Sequence, residues 1–166
     1  MSDEKMQEFT LRIANANKTR LCVILYDMFE EYLKEAIEAS EVRDARGKVS
    51  CEYKSAFHLG IRRARNVLSE LIDSVNRRYE IGENLYQIYR FVERTLIRAD
   101  VCEEGSDLDC LINIIDKLRN SYDEISSLDQ SAPIMNRAGA IYTGMTYNRG
   151  NVYDQASIEY TNGYLA

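Results

Sequence analysis

The chain has 166 residues, 45% hydrophobic and 29% charged, a balance that fits one folded domain and argues against wholesale disorder. Its formal charge of -6 disfavours nucleic acid and anionic membrane as partners, since both call for a net basic surface. No apolar run approaches the roughly 20 residues that span a bilayer, and the start MSDEKMQEF lacks the apolar region of a secretory signal, so a cytoplasmic protein without membrane insertion is expected.

In residues 1–16, Met6, Phe9 and Ile13 make a short amphipathic stretch, predicted as a loose helical turn or two. Asn17 is a fair N-cap for a first long helix from about Lys18 to Ala39, where Leu21, Leu25, Met28, Tyr32 and Ala36 share one face. Asp44, Arg46, Gly47 and Lys48 mark a loop. A second helix is predicted from about Cys51 to Tyr79, with Phe57, Ile61, Ala64, Leu68, Leu71 and Val75 as its stripe. A third, from about Gly82 to Cys102, carries Leu85, Ile88, Tyr89, Val92, Leu96 and Ala99. Glu103, Glu104 and Gly105 break it, and Ser106 offers an N-cap to a fourth that ends near Leu128.

Four amphipathic helices joined by short connections predict an all-α fold, an antiparallel up-down four-helix bundle over residues 17–128. Residues 129–166 differ. They hold Tyr142, Tyr147, Tyr153, Tyr160 and Tyr164, set irregularly among Gly139, Gly144, Gly150 and Gly163, which reads as a flexible or surface-packing tail.

Catalytic chemistry finds no foothold. A di-iron site needs Glu-x-x-His pairs on two helices, and the single histidine, His58, has Ser55 three residues before it. Cys22, Cys51, Cys102 and Cys110 fit neither a CxxC motif nor a zinc site, and in a reducing compartment they are expected as thiols. Phosphate loops and nucleophile elbows are missing from the sequence. Neither cofactor nor metal is expected, and His58 reads as a surface or interhelical residue.

One feature exceeds what four packed helices need. On the first long helix Cys22, Tyr26, Phe29, Leu33 and Ile37 form a second stripe beside that of Leu21, widening its apolar arc to roughly 200°. A helix central to the fold would show that pattern, and so would a groove for a partner segment. The stripe is taken as the partner-binding surface, so that Phe29→Asp is expected to weaken binding and leave helicity intact.

The run FTLRIANANKTRLCVILYDMFEEYLKEAI, from Phe9 to Ile37, resembles the opening of the flagellar export chaperone FliS family, including its Leu-Tyr-Asp step at Leu25, Tyr26 and Asp27. Arg63, Ala64, Val67, Leu68, Glu70 and Leu71 are similar to the pattern of that family's second helix. Asn84, Leu85, Ile88, Tyr89, Leu96, Ala99 and Asp100 resemble its third, and Asp107, Leu108, Ile115, Leu118, Arg119 and Tyr122 its last. The likeness covers most of residues 9–128. It departs at Ala16 to Thr19, where many members carry a proline, at Asp100 in place of asparagine, and in the tyrosine-rich tail.

The resemblance implies a cytoplasmic, non-catalytic chaperone. It would bind the disordered C-terminal region of flagellin, prevent premature polymerisation and bring the subunit to export-gate components of the type III apparatus. It also implies a groove cover from the N-terminal segment, here Met6, Phe9 and Ile13, with the tail tyrosines as the other candidate for that place. A monomer or weak dimer is expected. The alternative is a structural protein that homo-oligomerises through the second stripe of its first long helix.

Overall fold

The computed structural model describes residues 2–41 and 51–135. Among these residues the fold is all-α, with α1 (Asp3–Ala14), α2 (Lys18–Glu41), α3 (Cys51–Asp73), α4 (Glu80–Cys102) and α5 (Leu108–Leu128), and no strand. The expected loop around Asp44 to Lys48 and the tail beyond Met135 lie outside the described residues.

Five helices form where four long ones and a loose N-terminal stretch were expected. The N-terminal stretch is a continuous helix of 12 residues. The Ser2 side chain accepts from the Lys5 amide at its start, Asp3 and Glu4 complement the positive end of its dipole, and Arg12 complements the other end. Helices this short are marginal alone in water, so docking on α2 makes it a helix.

α2 begins as expected, with the Asn17 carboxamide oxygen accepting from the Arg20 amide at 2.8 Å. α3 stops at Asp73, short of the expected Tyr79. There Ser74 bonds back to the Leu71 carbonyl and the Asn76 side chain accepts from the Arg78 amide, offering the backbone a turn in place of the helix ladder. α4 ends on Glu103, in the left-handed region at φ 52°. Side chains resist that conformation, but the Glu103 carboxylate is held by Lys54 and faces His58 at 3.6 Å. Ser106 does not cap α5. The N-cap is Asp107, whose carboxylate reaches Arg98 at 2.6 Å and makes no capping bond.

α2, α3, α4 and α5 share one core, built on Tyr26, Phe29, Leu33, Phe57, Ile61, Leu68, Leu71, Tyr89, Leu96, Leu108, Leu111 and Ile115. α2 is its centre and packs on α1, α3 and α5. A second, smaller cluster joins Phe9, Ala16 and Ile24, with Ile13, Leu21 and Met28 packed against it. No helix among the described residues is long and apolar enough to cross a membrane.

Candidate functional site

The second stripe of α2 is not open. Tyr26, Phe29 and Leu33 are each 0% exposed, and Cys22 and Ile37 pack against the same core half-buried. The Tyr26 hydroxyl hydrogen-bonds that of Tyr89 on α4, and its ring meets that of Tyr122 on α5 edge-on at 5.5 Å. Burial raises the pKa of the Tyr26 and Tyr89 phenols, so both stay neutral and bonded to each other. It pushes the Cys22 thiol up as well. The expectation of a partner groove on these five residues is therefore corrected: a helix central to the fold explains the wide arc. Self-association through the same stripe loses its surface for the same reason.

Another side of α2 faces α1. There Leu21 and Ile24 pack in a small cluster with Phe9 and Ile13 of α1, and Met28 is shared between that cluster and the main core. Phe9, buried to 6% exposure, is the plug, with Ile13 half-buried beside it. Of the three residues expected as a cover, Met6 is exposed and takes no part. The cover thus lies over the outer face of α2, not over the Tyr26 stripe.

Charge fixes α1 in place. The Lys5 ammonium pairs with Glu31, and the Arg12 guanidinium with Asp27 while stacked 5.2 Å over the Phe9 ring. The other oxygen of Asp27 accepts from Arg119 of α5 at 2.8 Å, so one carboxylate joins α1, α2 and α5. Asp27 raises the pKa of Arg119, which stays charged throughout the accessible range.

The turn between α1 and α2 is tied from another direction. After α5 the chain doubles back, and the Ile134 amide donates to the Ala16 carbonyl at 3.0 Å. The Asn17 side chain donates to the Asp129 carbonyl at 3.0 Å, and the Thr19 hydroxyl to the Asp129 carboxylate at 2.6 Å. That last bond, with others from Ser131, lowers the pKa of Asp129. Sequence reading missed this clasp entirely. α1 is thus seated on α2 by one buried aromatic side chain and two ion pairs, and the turn that follows it is held by hydrogen bonds. A family model described as flagellar protein FliS matches residues 1–129, α1 and all four long helices included.

The chain belongs to the FliS family. That membership places it among flagellar export chaperones. No curated protein matches the chain at a significant level. Among the positions that resemble the FliS pattern, Asp27 is the ion-pair hub, Arg119 its permanent partner, and Tyr26, Tyr89 and Tyr122 form the buried aromatic contact. Asp100, where asparagine is usual in FliS, lies 2.7 Å from His58 and joins α4 to α3. His58 is thus an interhelical residue.

Proposed function

We propose that this FliS chain holds the disordered C-terminal region of flagellin before export, with the face of α2 beneath α1 as the seat of one apolar client helix. The supporting observation is that α1 closes an apolar surface with a single buried side chain. An unfolded flagellin end is an apolar segment with no folded partner until it assembles. Ordering it costs about 2–5 kcal/mol. Burying ~1,000 Å² of apolar surface at ~25 cal/mol/Å² exceeds that cost even after substantial association losses.

In this reading α1 competes with the client, and apparent affinity is reduced by the fraction of molecules in which α1 stays closed. Phe9→Asp in the full chain is expected to open that equilibrium and leave the core alone. Calorimetry with a flagellin C-terminal fragment should then show affinity rising about fivefold or more, as the competing closed state is depopulated. Equal or weaker binding would mean that α1 does not cover the client site.

A further inference from the structure

α1 offers α2 more than an apolar plug. Lys5, Phe9, Arg12 and Ile13 stand at i, i+4, i+7 and i+8, a spacing that places all four on one helix face. Their counterparts alternate in kind: Glu31 for Lys5, the Ile24 cluster for Phe9 and Ile13, and Asp27 for Arg12.

The crevice between α1, α2 and α5 divides by charge. Its permanent walls carry Asp27, Glu30 and Glu31 against Lys34 and Arg119, an excess of one negative charge. α1 brings Lys5 and Arg12 against Glu8, an excess of one positive charge, and the closed crevice is neutral. Glu30 keeps one buried carboxylate oxygen without a hydrogen-bond partner even when α1 is closed. Asp27 is prepared for exchange: Arg119 holds one of its oxygens from α5, independently of α1, and the other faces whichever cation α1 or its replacement supplies.

We propose that the seat beneath α1 selects an amphipathic helix carrying a cation, an apolar residue, a second cation and a second apolar residue at i, i+4, i+7 and i+8, with Glu31 and Asp27 as the specificity-determining residues. The inference rests on the reading that α1 gives way to a client, and adds the chemistry that client presents. An acidic helix of equal hydrophobicity is rejected, because it sets like charges against Glu31 and Asp27, leaves Glu31 without its Lys5 partner and leaves Asp27 with Arg119 alone.

The probe is a peptide of residues 1–16, held helical by a staple at exposed positions 3 and 7, titrated into the full-length Phe9→Asp chain and followed by NMR. The native peptide is expected to bind. Its Lys5→Glu, Arg12→Glu form should bind at least about fivefold more weakly, since the exposed Lys5 pair and the part-buried Arg12 pair both turn from attraction to repulsion. Glu31→Lys in the chain should restore part of the affinity for a Lys5→Glu peptide, which a purely apolar seat would not do. Equal binding of native and charge-reversed peptides overturns the charge register and leaves the displaceable cover standing. Failure of both to bind overturns the seat itself and the displacement reading with it. Should Phe9→Asp disturb the fold, the full-length chain with Lys5→Glu and Arg12→Glu in its own α1 serves as host. There the native peptide is expected to replace the weakened α1, and its failure to do so counts equally against the proposal.

Discussion

The two sides of α2 are equally apolar in sequence and opposite in consequence. On one, Tyr26, Phe29 and Leu33 meet side chains from α3, α4 and α5 and are fully buried. On the other, Leu21 and Ile24 meet a single 12-residue helix through Phe9 and Ile13, with Met28 shared between that cluster and the main core. Burial of one Phe is worth about 1.5–3 kcal/mol, and an exposed ion pair such as Lys5–Glu31 about 0–1 kcal/mol. The inner side draws on a dozen such burials at once. In the proposed function these differ in use: the inner surface stays closed, and the outer one has a cover that costs little to remove.

The largest test of that contrast is Phe29→Asp. Truncating a buried Phe costs about 3–5 kcal/mol, and an unpaired buried carboxylate adds several more. Together these approach the whole stability of an ordinary domain, about 5–15 kcal/mol. Loss of the cooperative urea transition is expected, in contrast to Phe9→Asp, which should keep that transition and raise hydrogen exchange only over residues 3–14. Retention of native stability by Phe29→Asp would return the inner stripe to the list of binding surfaces.

A smaller effect is expected where α2 and α3 come closest. A Cβ on Gly60 would lie 3.0 Å from the Ala36 Cβ and 3.0 Å from the Tyr32 carbonyl oxygen, so the two helices would have to part slightly. Overpacking of that kind costs about 1–3 kcal/mol, partly offset by the better helix propensity of alanine. Gly60→Ala should therefore lose about 1–2 kcal/mol in urea unfolding, without changing exchange in α1. Increased exchange in α1 would show that the two sides of α2 are coupled.

What could be read from the sequence follows from where the deciding contacts lie along the chain. The long helices were legible because their apolar periods and breaks are local, as was Asn17 as the cap of α2. Phe9 and Ile13 stood out as one apolar face for the same reason, and only the family resemblance suggested a cover. Which side of α2 they cover was not legible, because Leu21 and Ile24 look no different in sequence from the neighbouring side chains that enter the main core. Residues 15 and 92 positions apart bind Asp27, and the Asp129 clasp spans 110, distances at which no local pattern speaks. The end of α3 was misplaced because Ser74 and Asn76 divert the backbone through side-chain bonds that hydrophobic spacing does not register.

The Asp129 clasp yields the smallest and most specific effect, and it concerns the hinge rather than either side of α2. Its carboxylate accepts from Thr19 and Ser131 in the folded chain, which lowers its pKa below the ordinary aspartate value of about 3.9. A depressed folded pKa gives a contribution that is complete above the unfolded value and is lost as pH falls through the folded one. Protection of the Ile134 amide, which donates to Ala16 beside the hinge, should thus hold steady near neutrality and decline below about pH 4. Asp129→Asn keeps an acceptor for Thr19 without a titrating group, so its protection should stay flat through the same range. A decline of equal size in Asp129→Asn would assign the acid sensitivity to another group. A flat wild-type profile would mean that the hinge is held by the Asn17 and Ile134 bonds alone, and α1 would then be released by its ion pairs and Phe9 without help from the strap.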